Sequence, residues 1–171
     1  ERMKPMFLTV LSDMDMSPAA MSSGEIVSYE MEIMQMAKIR DLKMGGLETA
    51  EYQMSMFDSI PYKAQAEMLV ESIKSEDNGD EQFAEMVELY KNQDLIGMSS
   101  MISEDEEGIG NYEDVLLVQR NKNWIPIMGE MMNEQPTFFA VGAGHLGGEF
   151  GVVSLLRQDG YTLVPIRNKD N

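Results

Sequence analysis

Apolar residues recur at helical spacing along most of the chain, and this pattern predicts a protein built mainly of helices. A capping box at Ser22-x-x-Glu25 opens the first pattern, which runs to about Arg40. Residues 49–58 form a second helical segment, and Pro61 can serve as the first residue of a third. Further helices are predicted around residues 62–73, 83–90, 112–132 and 152–156.

Three shorter apolar runs predict strands. Residues 42–48 are too few and too rich in glycine for a helix, so they predict a brief buried strand that ends at Glu48. Thr137–Val141 and Tyr161–Ile166 flank the last predicted helix, with Gly160 as the residue that terminates it. A strand, a helix and a strand in succession predict a βαβ unit with parallel strands and a right-handed crossover. The expected fold class is therefore α/β, with helix dominating.

Length and composition limit the classes of protein to which this chain can belong. With 171 residues, 43% of them apolar, it is long enough for one domain with its own core. Its 30 acidic and 13 basic residues disfavour a nucleic-acid partner, because such binding depends on Lys and Arg that neutralise phosphates. No apolar stretch is long enough for a membrane span. The absence of cysteine excludes disulfides and thiolate chemistry.

The chemically distinctive segment is the loop Gly142-Ala143-Gly144-His145-Leu146-Gly147-Gly148-Glu149. Ligands of parallel α/β folds bind beyond the C-terminal ends of the strands, where this loop would lie. Gly142, Gly144 and Gly147 would let a ligand approach the backbone closely, and His145 is the only histidine of the chain. The patterns of a phosphate-binding loop are absent. Spacing alone leaves His145 equally open as a buried structural residue and as a ligand or general base.

The segment from Thr137 to Pro165 resembles the C-terminal motif of the TraB/GumN family, in which a strand ends in Gly-x-x-His-Leu and a short helix, Gly-Tyr and a final strand follow. Three further segments agree with that family in order and spacing. They are residues 46–53, similar to its Leu-Glu-Thr…Gln segment, Gln119-Arg120-Asn121-x-x-Trp124, similar to its Arg-Asn…Trp helix, and Lys4-Pro5 with the apolar residues that follow. The resemblance thus covers nearly the whole chain.

The resemblance implies a fold similar to that of the erythromycin esterases and the ChaN haem-binding proteins, and a relation to the Tiki-type metalloproteases. The family carries two Gly-x-x-His motifs, one in each half, with a Glu and an Arg completing the site. Gly142-x-x-His145 matches the second motif, Glu48 fits the Glu and Arg120 fits the Arg. Residues 1–171 are therefore expected to form a single C-terminal domain or half-domain, with the first Gly-x-x-His motif in a missing N-terminal half.

The function that the resemblance implies is that of a metal-dependent hydrolase acting on a peptide or a small molecule. His145 and Glu48 would help to hold a manganese, cobalt or zinc ion with an open position for water. Arg120 would stabilise the anionic transition state, and Glu48 fits the role of ligand or of general base. The alternative is a non-catalytic binding or regulatory protein of the same fold. With one histidine, this chain alone is expected to bind metal weakly and to be inactive.

The resemblance also suggests location and assembly. GumN-like proteins are usually exported, so a periplasmic or cell-envelope location is expected. The edge of the predicted sheet, which the missing half would cover, is expected to favour a homodimer.

Overall fold

Helices dominate the structure, as the sequence predicts. The computed structural model describes residues 4–6, 8, 27–74, 76–105 and 110–166; the predicted capping box at Ser22 lies outside these residues. The described part contains seven α-helices. They are α1 (Tyr29–Ile39), α2 (Ala50–Met56), α3 (Tyr62–Lys74), α4 (Glu76–Lys91), α5 (Leu95–Ser103), α6 (Gln119–Glu134) and α7 (Val152–Gln158). Short 3-10 turns lie at Phe57–Ser59, Gly110–Tyr112 and Ala143–His145.

Side-chain caps set the start of helices that bear on the candidate site. Thr49 precedes α2, and its hydroxyl accepts a hydrogen bond from the backbone N–H of Tyr52. Asp94 precedes α5, and its carboxylate accepts one from the N–H of Gly97. Each cap satisfies an amide that the helix itself leaves unpaired. The cap at Thr49 also fixes the chain immediately after Glu48, which is a candidate site residue.

Helix α6 is the element on which the core is built. A π-helical turn, Asp114–Val118, leads directly into it. The sequence predicts that Pro126 kinks or restarts this helix; α6 continues through that position, so the helix does not restart there. Pro126 is exposed, so the backbone carbonyl that loses its helical partner lies on the side where water can replace it.

The hydrophobic core lies between α6 and α7. Trp124, Ile125 and Met128 of α6 pack against Val152 of α7, and all four side chains are buried. Burial of apolar side chains stabilises a fold by roughly 25 cal/mol for each Å² removed from water, so this cluster holds the two helices together. The partly buried side chains packed against it are Leu47, Met132, Phe139, Val141, Leu155 and Leu156.

The strand predictions are wrong for the described residues. None of the segments 42–48, Thr137–Val141 and Tyr161–Ile166 belongs to a strand, so the described part of the chain forms no βαβ unit. A strand requires a ladder of backbone hydrogen bonds to a neighbour, and no such bond joins these segments within the described residues. Phe139 and Val141 of the second segment pack against the core cluster, whereas in the third segment Tyr161 lies beside Gly129 of α6 and Val164 and Ile166 are exposed.

The period-two pattern of Thr137–Val141 nevertheless has a structural cause. Phe139 and Val141 pack against the core cluster, whereas Phe138 between them is 78% exposed. Alternate side chains of an extended segment point to opposite sides, so one-sided packing on a helix produces the same alternation as a half-buried strand. The segment 42–48 is not a buried strand either, because Leu42 and Met44 are 56% and 48% exposed.

The sequence leads to two expectations about partners, the absence of a membrane span and a homodimer formed through a sheet edge. No helix in the described residues is long and apolar enough to cross a membrane, in agreement with the sequence. The homodimer through a sheet edge stays a prediction, and the described residues contain no strand edge that would carry it.

Replacing Met128 tests the importance of the α6–α7 core. Met128 is 1% exposed, and Met128→Ala should lower the free energy of unfolding by roughly 2–5 kcal/mol because it leaves a cavity. The same substitution at Met36, which is 49% exposed on α1, should change it by less than about 0.5 kcal/mol. Urea denaturation of both variants gives the comparison. Equal effects would show that the core lies elsewhere.

Candidate functional site

Three side chains in the first half of α6 contact the segment that ends at Glu48 and the loop that contains His145. Arg120 and Trp124 are four residues apart, so they lie on one face of the helix, and Asn121 is three residues from Trp124. This face meets the segment that ends at Glu48 and the loop that contains His145. One helix therefore brings the candidate residues of distant parts of the sequence together.

Glu48 and Arg120 form a largely buried ion pair, with side chains 14% and 12% exposed. Nη2 of Arg120 lies 2.6 Å from Oε1 of Glu48, and Nε lies 3.2 Å and 3.1 Å from Oε1 and Oε2. Trp124 adds a third donor, because its indole N–H lies 3.1 Å from Oε2. Nη1 of Arg120 donates to the backbone oxygen of Leu116 at 2.8 Å.

This geometry restricts what the carboxylate of Glu48 can do in the observed arrangement. Each of its two oxygens accepts from at least one side-chain donor, and two parallel bonds to Arg120 hold its orientation. A metal ion or a substrate proton would have to compete with those donors. The predicted role of Glu48 as ligand or general base stays a prediction.

His145 is buried, with 8% of its surface exposed, at the end of the 3-10 turn that follows Gly142. Its Nδ1 lies 2.6 Å from Oδ1 of Asn121. Its ring centroid is 4.4 Å from that of Trp124, and the guanidinium carbon of Arg120 is 5.2 Å from the Trp124 ring. Trp124 thus contacts both His145 and Arg120. The three residues predicted from the sequence, Glu48, Arg120 and His145, therefore lie in one network of contacts.

The environment of His145 favours the neutral imidazole. The pKa of His145 is lowered from 6.5 to about 4, mainly by burial and also by the positive charge of Arg120, while the negative charge of Glu48 acts in the opposite direction. A charged imidazole would lose its hydration inside the fold and gain only a partly compensated cation nearby. At neutral pH the ring therefore keeps a lone pair on one nitrogen.

Asn121 holds the loop that contains His145. It is 2% exposed, and its Nδ2 donates to the backbone oxygen of Phe150 at 2.9 Å and to that of His145 at 3.3 Å. One buried side chain thus satisfies two carbonyls of a loop that lacks regular secondary structure between its 3-10 turn and α7.

The glycines of this loop make room for the protein itself. A Cβ on Gly147 would lie 2.1 Å from the backbone oxygen of Leu95, and one on Gly144 would lie 2.9 Å from Cδ1 of Ile102, both in α5. A Cβ on Gly142, by contrast, would meet only His145 at an ordinary 3.7 Å. The close approach that the sequence predicts for a ligand is made at Gly144 and Gly147 by α5.

Two cavities adjoin the network. One of about 210 Å³ lies between α5, the start of α6 and the glycine loop, and Asn121, Ser99, Ser103 and Glu113 line part of it. The other, of about 240 Å³, has Arg120 in its wall. Its remaining lining is mainly apolar and consists of Met6, Gln53, Met54, Met56, Phe57 and Leu116.

The described residues do not by themselves form a metal site. They contain no group of three or more His, Asp or Glu side chains that could hold an ion together. Nε2 of His145 has no hydrogen-bond partner among the described residues and can serve as one nitrogen ligand. The carboxylate of Glu48 is engaged by Arg120 and Trp124. A complete coordination sphere would need further ligands.

The family resemblance includes the Arg-Asn-x-x-Trp segment but assigns no role to Asn121 or Trp124. Both are buried, and both contact the candidate residues directly. A polar residue at a core-facing helical position was the signal that could have identified Asn121, because buried amides almost always have defined partners. Helix α5 was not predicted either, although Asp94 followed by Leu95 and Ile96 is a typical helix start.

The fold and the site define a helix-dominated protein in which a Gly-x-x-His loop is held against an Arg-Asn-x-x-Trp helix. The model of the TraB/PrgY/gumN family matches residues 1–165, and the chain therefore belongs to that family. The family expected from the sequence is confirmed. Comparisons with curated proteins and with solved structures gave no match.

Removing the charge of Glu48 tests the buried ion pair. Glu48→Gln keeps the shape of the side chain but leaves Arg120 without its counter-ion, which should lower the free energy of unfolding by roughly 3 kcal/mol. Glu81→Gln removes the same charge from an exposed position on α4 and should change it by less than about 0.5 kcal/mol. Urea denaturation measures both. A double variant with Arg120→Gln should recover part of the loss, and purely additive effects would contradict the pairing.

The single histidine allows a direct test of the neutral imidazole. Because its folded pKa lies below its unfolded value of 6.5, its contribution to stability is complete above 6.5 and is lost as the pH falls towards about 4. Between about pH 7 and pH 5 the wild type should lose about 2 kcal/mol more than His145→Gln, which cannot titrate there. Urea denaturation at both pH values gives the difference. Equal losses, or a ring resonance that titrates near 6.5, would contradict the burial argument.

Proposed function

We propose that this chain contributes a histidine ligand and an anion-stabilising arginine to a metal-dependent hydrolase site that acts on a peptide or small-molecule substrate. The observation that carries the proposal is the state of His145: buried, held through Nδ1, and with Nε2 unpaired among the described residues. Buried polar atoms almost always have partners, so an unpaired ring nitrogen in the described network favours an external one.

The chemistry of His145 suits a metal ligand better than a structural residue. A ligand must present an uncharged nitrogen, and the depressed pKa keeps the ring neutral at physiological pH. Ligating imidazoles also commonly have their second nitrogen held by an oxygen of the protein, as Nδ1 is by Asn121. Both features would be present before any ion binds.

A manganese, cobalt or zinc ion, when bound, would lower the pKa of a coordinated water and so supply a hydroxide nucleophile. We propose that His145 is one ligand and that the others come from sequence outside the described residues. The two Gly-x-x-His motifs of the TraB/GumN resemblance support this arrangement, with the second histidine in an N-terminal half.

Arg120 is proposed to stabilise the anionic transition state. The guanidinium has five N–H groups, of which the bonds to Glu48 and to Leu116 use three. The other two have no partner among the described residues and are free to donate to an anionic oxygen. In this proposal Glu48 fixes the orientation of Arg120, and the apolar cavity beside Arg120 receives an uncharged part of the substrate.

Paramagnetic Mn²⁺ tests the ligand role of His145. Added to this chain, it should broaden the ring resonances of His145 at lower concentration than the methyl resonance of Met36, which is 49% exposed on α1. The affinity should be weak, because one imidazole cannot close a metal site. Equal broadening of both resonances would show that the ion merely distributes over a surface with a net charge of −17, and would contradict the proposal.

A polypeptide that also carries the upstream half tests the activity. It should bind the ion far more tightly than this chain and hydrolyse peptides, and His145→Ala should abolish both properties. Peptide binding without hydrolysis in the metal-loaded polypeptide would favour the alternative, a non-catalytic binding or regulatory protein.

A further inference from the structure

We infer that Asn121 is a positioning residue that fixes the proton of the His145 imidazole on Nδ1 and so leaves the lone pair on Nε2. The inference deepens the proposed function. It rests on that proposal in one respect only, which is the use of the Nε2 lone pair to bind a metal ion. The protonation pattern itself follows from hydrogen bonds within this chain.

The orientation of the Asn121 amide follows from its two backbone partners. The backbone oxygens of Phe150 and His145 lie 2.9 Å and 3.3 Å from one end of the amide. A carbonyl oxygen can only accept, so the end that faces both must be the NH₂ group. The other end, which faces the imidazole, is therefore the amide oxygen.

The position of the proton on the imidazole follows in turn. The amide oxygen of Asn121 lies 2.6 Å from Nδ1 of His145, and this oxygen can only accept. Nδ1 must then be the donor. A neutral imidazole has a single N–H, so Nε2 carries the lone pair. The imidazole of free histidine in water favours the opposite arrangement, with the proton on Nε2, so Asn121 works against the intrinsic preference of the ring.

Because the contact is buried, Asn121 determines which nitrogen of the His145 imidazole carries the proton. Asn121 and His145 are 2% and 8% exposed, so water is largely excluded from the bond between them. The neighbouring indole N–H of Trp124 is directed at Glu48, whose oxygens also accept from Arg120. Within the described residues no other acceptor is recorded for the imidazole. An unmade bond in such a place is costly, which favours a single arrangement.

Asn121 has two separable tasks. Its NH₂ group ties together the two ends of the loop from His145 to Phe150, and its oxygen fixes the imidazole. Asn121→Asp keeps an acceptor but removes the donors to the loop. Asn121→Leu has a similar size and removes both. A comparison of the two variants therefore distinguishes an effect on the imidazole from a general loosening of the loop.

The experiment is a long-range proton–nitrogen NMR correlation on the ¹⁵N-labelled, metal-free chain above about pH 8, where an imidazole is neutral. The nitrogen shifts distinguish a protonated from a bare ring nitrogen, and the single histidine makes the assignment unambiguous. The wild type and Asn121→Asp should show a protonated Nδ1 and a bare Nε2. In Asn121→Leu the form with a protonated Nδ1 should cease to be the major one.

Asn123→Leu is the matched control. Asn123 lies on the exposed side of the same helix, and its amide donates to the hydroxyl of Tyr52, so this variant should leave the imidazole unchanged. A folded Asn121→Leu that keeps the wild-type pattern would overturn the inference. So would a wild type protonated on Nε2, a result that decides the matter even if the leucine variant does not fold.

The outcome is independent of the proposed function. A protonated Nδ1 together with no preferential broadening of the His145 resonances by Mn²⁺ would reject the metal site and leave the role of Asn121 intact. Preferential broadening together with a protonated Nε2 in the metal-free chain would do the reverse.

Discussion

The ion pair between Glu48 and Arg120 is the constraint on which the arrangement of the candidate site depends. It joins segments that lie 72 residues apart in the chain, and it does so in a largely buried position. A buried arginine without its carboxylate would be strongly unfavourable, so the segment before α2 must meet α6 for the fold to form. Trp124 donates to the same carboxylate and packs in the core, which couples the ion pair to the packing of α6 and α7.

The sequence predicted six of the seven described helices, all except α5, because their signals are local. The apolar spacing and the long segment that becomes α6 depend on residues within a few positions of one another. The strands failed because a strand depends on a partner that no local pattern specifies. Phe139 and Val141 alternate with exposed residues in the manner of a strand, yet they pack on helices. Periodicity reports which side of a segment is buried, but not what covers it.

The sequence predicts three residues of the candidate site, but not the contacts that connect them. Glu48, Arg120 and His145 were identified by resemblance, and the structure brings them into one network. Asn121 and Trp124, which connect them, belong to the matched Arg-Asn-x-x-Trp segment, but only Asn121 carries a further signal, as a polar residue at a core-facing helical position. From the sequence, the glycines predict space for a ligand, whereas in the structure Gly147 accommodates the backbone of Leu95 in a helix that the sequence does not predict. A pattern of small residues indicates close approach without identifying what approaches.

The pKa of His145 depends more on the packing of its loop than on the charges of the neighbouring ion pair. Arg120 lowers and Glu48 raises the pKa of His145, so their effects oppose each other, and burial is the larger cause of the depressed value. The neutral state of the imidazole therefore depends mainly on how the loop is packed against α6, and less on the charge of its neighbours. It follows that Arg120 and Glu48 can lie beside the imidazole without protonating it, because the guanidinium charge disfavours a second cation. Such a division allows a neutral imidazole and a cationic guanidinium to coexist around a single tryptophan.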